Sequence, residues 1–532
     1  MPLSDERAAR CAGWPSVSVI ATLGGAAQPL ERGTSDVALI KVDLDRSIGQ
    51  VDRRILSGFI EHLGRCIYGG IYDEGSPLAD ENGFRTDVIE AVRRLAPPVL
   101  RWPGGNFASG YHWTDGIGPK DRRPRRTDLA WHAEESNRFG TDEFMTFCEA
   151  VGAEPFLCLN LGTGTMDEAQ AWLEYCNGSG DTEWASRRRE NGHPDPYRVR
   201  YVGLGNEMWG SWQIGQLAAA DYVTKARQFA KVLSWTDPRV ELVSCGESGW
   251  SDWDEVVIGG LAEFVRWHSI HIYTGSSDYW TNVVEPHQAE RAARIAAALI
   301  EKARYNQRIG HPIHIAYDEW NVWFRELDGT KGLDERYSLA DALAVTTYLH
   351  GFIRHARVIR MANLAQLVNA IAPIVTSPDG LFLQTIYHPL RLFAEHLGTV
   401  ALDVDVNCDR HELSDSPSAQ PPRHRVADLG PFPVLDAVAT RSEPRSSGSP
   451  GKLMISVVNR SPDGDVTAEI RIAGSLDART ASVAEVNGAD VTTTNSFVQP
   501  EAVAVRYGSI ENFASGVRYR FPAHSVTMIT AA

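Results

Sequence analysis

Two short acidic motifs carry the chemistry this chain is equipped for: Val202-Gly203-Leu204-Gly205-Asn206-Glu207-Met208-Trp209 and Ile313-His314-Ile315-Ala316-Tyr317-Asp318-Glu319-Trp320-Asn321. Each is a small apolar run of strand type that ends in a carboxylate beside a tryptophan. Delivering an acid to the tip of a buried strand is unfavourable unless the acid is used there. Two such tips make a carboxylate pair, the equipment for cleaving a glycosidic bond. Held about 5–5.5 Å apart, such a pair acts as acid/base and nucleophile with retention; at about 6.5–9.5 Å a water fits between them and the outcome inverts.

The elements that must position this pair alternate along the chain. Strand-type runs fall at 56–61, 98–102, 155–160, 200–205, 240–245, 267–272, 313–318 and 357–363. Between them, helices with three- or four-residue apolar spacing are expected at 86–95, 141–151, 168–176, 219–235, 288–306 and 338–355. Eight such units predict an α/β fold, a (β/α)₈ TIM barrel over residues 50–395. A doubly wound open sheet is the alternative, but no GxGxxG follows any strand. In a barrel, function sits at the C-terminal strand ends. Those tips carry Glu61, Asn106, Asn206 and Glu207, His271 and Tyr273, Glu319 and Asn363. Glu207 and Glu319 end strands four and seven, which face each other across the mouth. Asp318 is expected on the opposite face of its strand. His268/His271 and His311/His314 have strand spacing, but no carboxylate or cysteine cluster completes a metal set, so they read as structural.

Past residue 395 the texture changes to short alternating β runs at 433–440, 453–459, 466–472, 501–506 and 517–530, with polar loops at 412–424 and 441–452. Residues 396–532 therefore predict an antiparallel β-sandwich, jelly-roll-like, which residues 36–49 join through the run 37–44. Residues 1–35 read as a flexible extension. Composition is that of a globular chain, 43% hydrophobic and 23% charged, with a formal net charge of −16 that argues against nucleic acid or an anionic membrane as partner. The seven cysteines contain no CxxC pair and read as reduced thiols, which favours a cytoplasmic location. No spanning helix is expected, and no metal or cofactor. Fifteen tryptophans are many, and Trp102, Trp209, Trp212, Trp320 and Trp323 recur near the acidic tips. In a cleft, their flat faces suit sugar rings.

The stretches GFIEHLGRCIYGGIYDE (58–74), LRWPGGNFASGYHW (100–113), GLGNEMWG (203–210), HIYTG (271–275), YDEWNVW (317–323) and QLVNAIAPI (366–374) resemble, in order, those of family 51 glycoside hydrolases, the α-L-arabinofuranosidases. The likeness spans about residues 40–400. It implies Glu207 as general acid/base and Glu319 as nucleophile in a retaining reaction. It also implies Glu61, Asn106 and Asn206 on the furanose hydroxyls, Tyr273 orienting the nucleophile, and Trp323 and Gln384 lining the sugar pocket. Phe324 stands where the family often has tyrosine. The resemblance further implies exo action on terminal arabinofuranose of arabinan or arabinoxylan oligosaccharides, and a homo-oligomer, by likeness a hexamer. The alternatives are another retaining hydrolase of the same clan (an endoglucanase, β-xylosidase or galactofuranosidase) and a non-catalytic sugar-binding barrel. On physical grounds, the charge of Glu319 is expected to raise the pKa of Glu207.

Overall fold

The computed structural model describes residues 37–325, 333–413, 425–442, 451–476 and 478–531. The expected extension at 1–35 lies outside the described residues, as do 414–424 and 443–450, which make up most of the two expected polar loops. Eight parallel strands close a barrel: β1 (Ser57–Phe59), β2 (Val99–Trp102), β3 (Glu154–Cys158), β4 (Tyr201–Gly203), β5 (Glu241–Ser244), β6 (Trp267–Thr274), β7 (His314–Val322) and β8 (Ile359–Ala365). Each neighbours the next in sequence, and β8 pairs back onto β1 through Asn363–Ser57 to Ala365–Phe59.

Two-residue alternation explains how these strands divide their side chains. In β2, Val99 and Arg101 point into the barrel while Leu100 and Trp102 pack outward. One residue from each of β2 to β8 makes an apolar plug across the barrel interior: Val99, Phe156, Tyr201, Val243, Trp267, Ala316 and Met361. In this layer the bulky Tyr201 and Trp267 are combined with the small Ala316. Above this plug, β6 climbs the inner wall through Ser269, His271 and Tyr273, and those three reach Asp318, Glu207 and Glu319.

The predicted helices are present as Thr86–Leu95, Thr141–Val151, Met166–Asn177, Ala219–Thr236, His287–Gln307 and Leu339–Arg354. Four helices go beyond the sequence reading: Glu183–Glu190, Asp252–Leu261, Tyr279–Val284 and Tyr387–His396. The first of these buries only Ala185 and Arg188, so it carries no apolar stripe to recognise.

The C-terminal part is one nine-stranded sheet in the order Ala504–Glu511, Thr480–Asn487, Ser525–Ala531, Leu453–Asn459, Leu435–Arg441, Val400–Asn407, Ala38–Gln50, Val466–Ala473, Val517–Phe521. Val483 and Phe521, from near opposite ends of that order, share one apolar cluster, so the sheet folds over itself as a sandwich does. The N-terminal strand is central to it, antiparallel to Val400–Asn407 and parallel to Val466–Ala473, which is the one departure from an antiparallel arrangement. Val400–Asn407 and Thr480–Asn487 are unassigned in the sequence reading. The expected single run at 517–530 is two strands separated by a turn at Ala523 and His524.

One sheet face, with Ile455, Val457 and Ile529, builds its own core, while Met454, Val458 and Met528 on the other join the barrel core. Helix Leu339–Arg354 lies against this second face. His350, fully buried, bridges Asp436 (2.9 Å) and Ser456 (2.8 Å), and Arg354 and Arg460 also pair with Asp436 at 2.9 and 3.2 Å.

Candidate active site

At the C-terminal mouth, Arg101 is the hub. Its guanidinium is 1% exposed and donates to Glu319 Oε1 at 2.7 Å and to Asn206 Oδ1 at 2.6 Å, with Nε 3.3 Å from Asp318 Oδ2. Tyr273 Oη donates to the other oxygen of Glu319 at 2.7 Å. Two donors on different strands thus fix the orientation of that carboxylate. Asn206 donates in turn to Gln213 Oε1 (3.3 Å), and Gln213 to Ser109 Oγ (2.6 Å). One amide hydrogen of Asn206 is left over for a ligand.

Glu207 follows two residues after Gly205 and has φ +41°, a left-handed conformation that a non-glycine side chain adopts only under constraint. This abrupt turn ends the strand path and aims the carboxylate over the mouth. Its Oε1 lies 2.9 Å from His271 Nδ1, and its Oε2 accepts from Trp212 Nε1 at 2.6 Å. His271 Nδ1 is also 3.6 Å from Glu319 Oε2, and Nε2 is 3.4 Å from Asp318 Oδ1.

Two sequence expectations are corrected here. Asp318 does not point away from the site. Relative to β6, Ala316 pairs with Ser269 but Glu319 with His271, so β7 carries one extra residue. The same excess appears against β8, between Tyr317 and Trp320. Such a bulge re-aims side chains locally and lets consecutive carboxylates both face Arg101. Second, His271 is not merely structural, since it touches three acids. His268 is structural as expected, bonded outward to Ser244 and Asp254.

Charge follows from this packing. Burial disfavours the imidazolium of His271, but Glu319, Asp318 and Glu207 outweigh it and push its pKa up to about 10. Burial likewise raises Glu207, yet the hydrogen bond and charge of His271, then Trp212 and Arg101, leave it below the ordinary value. The expected upward displacement by Glu319 is therefore overridden by His271, whose charge is absent from the sequence argument. Asp318 is held low in the same way, Arg101 and His271 overcoming burial.

Glu61 lies two residues past the end of β1. Phe107 N and Trp131 Nε1 donate to its Oε1 at 3.1 Å each, and Gln366 Nε2 to its Oε2 at 3.0 Å. Burial and then the charge of Glu319 push it up to about 7. Gly104 and Gly105 make the close approach possible. A Cβ at Gly104 would sit 2.5 Å from Glu61 Cγ, and one at Gly105 2.9 Å from Glu319 Oε1.

Asn106 opens the short helical turn after Gly105, half-buried, its side chain unpartnered among the described residues. Trp323 is half-buried and stands edge-on to Tyr273 at 5.5 Å. Gln384 uses both amide hydrogens on the carbonyls of Glu335 and Ala372 and accepts from Tyr337 N, so its remaining capacity is one oxygen lone pair. Asn363 donates to the Gly58 carbonyl inside the barrel wall. Trp102 and Trp320 are core residues. Trp131 and Gln366 are not singled out in the sequence reading, and Trp212 is noted there only as a tryptophan near an acidic tip, without its bond to Glu207. Trp212 follows Glu207 by five residues, a spacing that no strand or helix periodicity flags.

Glu207, His271 and Glu319 place ligating atoms within 4.8 Å of one another. Their chemistry does not fit a resident cation, because Arg101 already pairs with Glu319 and the acids around His271 raise its pKa, favouring the imidazolium over the neutral ring a metal would need.

Residues 91–291 match the family described as "Alpha-L-arabinofuranosidase 1 domain" and residues 318–525 the "Alpha-L-arabinofuranosidase C-terminal domain". The chain is 42% identical over 507 residues to a "Probable alpha-L-arabinofuranosidase C" of Aspergillus clavatus, covering 92% of this chain and 96% of that protein. It superposes on the GH51 α-L-arabinofuranosidase of Thermotoga petrophila with a TM-score of 0.85 at 39% identity, over 93% of this chain and 100% of the other. The chain belongs to the family 51 α-L-arabinofuranosidases. It is thus a glycoside hydrolase, and its carboxylate mouth belongs to an arabinofuranosidase barrel. A bacterial relative from Halalkalibacterium halodurans, named an "Intracellular exo-alpha-(1->5)-L-arabinofuranosidase", is 38% identical over 396 residues, covering 71% of this chain and 79% of its own.

Proposed function

We propose that the protein is a retaining, exo-acting α-L-arabinofuranosidase that releases terminal non-reducing α-L-arabinofuranosyl residues from arabinan and arabinoxylan oligosaccharides by double displacement. The observation that carries this reading is the closeness of the two carboxylates: an oxygen of Glu207 and one of Glu319 lie within 4.8 Å. That spacing favours a direct nucleophile over an interposed water. Glu319, oriented by Arg101 and Tyr273, attacks the anomeric carbon while Glu207 gives its proton to the leaving oxygen. Water, deprotonated by Glu207, then attacks the anomeric carbon from the face the leaving group left, opposite Glu319, and the bond to Glu319 breaks to release the sugar and the free carboxylate. Asn206 places its spare amide hydrogen for the 2-hydroxyl; Glu61, Asn106, Trp323 and Gln384 are assigned to the rest of the sugar ring.

The name of the bacterial relative supports exo action and a cytoplasmic location. Among the described residues no helix is long and apolar enough to cross a membrane. Assembly as a homo-oligomer rests on the family resemblance, and light scattering tests it. Function is tested with 4-nitrophenyl glycosides and arabino-oligosaccharides, following the anomer of the first-formed sugar by NMR. The α-L-arabinofuranoside is cleaved with retention, and Glu207→Ala with azide yields a glycosyl azide of retained geometry. Cleavage of a different glycoside alone removes the substrate assignment; an inverted first product removes the mechanism.

A further inference from the structure

Both oxygens of Glu207 have partners within the protein. Oε1 faces His271, which is buried in the wall of β6, and Oε2 is held by the indole N–H of Trp212 at 2.6 Å. An acid that must protonate a substrate oxygen needs one of these positions free. The two partners differ in how firmly they are held. His271 is fixed between Glu207, Asp318 and Glu319. Trp212 is 55% exposed, and its ring rests on the backbone at Gly210 and, edge-on at 5.0 Å, on Trp209. Trp209 is anchored by its own indole to the Gly246 carbonyl at 3.1 Å.

We propose that Trp212 is a positioning residue on the leaving-group side, whose indole N–H reserves Oε2 of Glu207 until the aglycone oxygen displaces it. This deepens the proposed function and rests on Glu207 being the acid/base. A donor on a carboxylate favours its charged form, so the Trp212 N–H adds to His271 in lowering the pKa of Glu207 for as long as that bond is made. Acid strength is thereby tied to occupation of the leaving-group side. The groups facing Glu207 from the surrounding elements are His271, Asp318, Glu319, Arg101 and Glu247, and none of them is altered by substitution at 212.

Trp212→Phe keeps the ring and removes the donor. In kcat/KM for an arabino-oligosaccharide, its alkaline limb moves to higher pH by about half a unit or more. Trp209→Phe, which removes a neighbouring indole N–H that does not touch Glu207, leaves the limb in place. Without any substrate, the difference in fluorescence between wild type and Trp212→Phe titrates with Glu207, and this titration is absent when both carry Glu207→Gln. An unmoved limb in Trp212→Phe, an equal displacement in Trp209→Phe, or a titration that persists with Glu207→Gln each overturns the proposal. The fluorescence arm needs no turnover, so it stands or falls apart from the substrate assignment.

Discussion

Replacing Arg101 with methionine is the most demanding check on the site as described. The guanidinium is buried and holds Glu319 Oε1 at 2.7 Å, Asp318 Oδ2 at 3.3 Å and Asn206 Oδ1 at 2.6 Å, with its Cζ 4.5 Å above the Phe59 ring. Methionine fills much of the volume but leaves two buried carboxylates with His271 as their nearest cation. Removing one partner of a buried ion pair is destabilising by about 3–5 kcal/mol, because the remaining charge is uncompensated. For a chain of 532 residues the unfolding entropy is about 1 kcal/mol per kelvin, so Tm falls by about 3–5 °C. The same change placed in a Glu319→Gln/Asp318→Asn background removes the charges that Arg101 compensates, and a double-mutant cycle by urea denaturation returns about 1–3 kcal/mol of coupling. An Arg101→Met protein as stable as wild type, or one whose loss is unaltered in the neutralised background, refutes the hub as the source of the site's electrostatic balance.

Tyr273→Phe removes one of the two donors on Glu319; a hydrogen bond to a charged group is worth about 1.5–3 kcal/mol, so kcat falls about 10- to 100-fold with Tm nearly constant. Gly105→Ala drives a methyl to 2.9 Å from Glu319 Oε1 and 3.4 Å from Asn206 Nδ2, and steady-state kinetics show kcat/KM reduced about tenfold or more, as misplacement of reacting groups requires. At the contact between barrel and sheet, Asp436 is opposed by burial but held well below the usual carboxylate range by Arg354, Arg460 and His350. A depressed carboxylate stabilises the fold above its unfolded pKa of about 3.9 and loses that stabilisation as pH falls through its folded value. Asp436→Asn therefore lowers stability at neutral pH by about 3–5 kcal/mol, and chemical denaturation finds the difference from wild type shrinking only below about pH 4.

The barrel was legible because its strands are short apolar runs separated by helices with clear faces, and Glu207 and Glu319 stand at tips that strand counting alone locates. Helix Glu183–Glu190 was not, since it presents no apolar stripe. The inner shell was only partly legible. Simple alternation put Asp318 on the wrong side because a bulge in β7, invisible to a two-residue period, adds one residue. His271 read as structural because its partners come from β4 and β7, far away in sequence. Gln366 and Trp131 reach Glu61 from segments some 300 and 70 residues distant along the chain, and no local pattern encodes such contacts.

The strand Ala38–Gln50 leaves the ribosome ahead of every other described element, yet both of its partners are made after the whole barrel. At about 5–20 residues per second, it waits roughly 20 to 85 s before Val466–Ala473 is available. During that interval Ile40, Val42 and Leu44 form an unpaired apolar edge on the nascent chain, a hazard for association with other chains. Lys41, Asp43, Asp45 and Arg46 alternate with or follow them and act as gatekeepers. Release of a chain truncated before Val466 leaves one or both sides of that strand unpaired, so the sheet makes synthesis of its late strands a condition for a quiet surface.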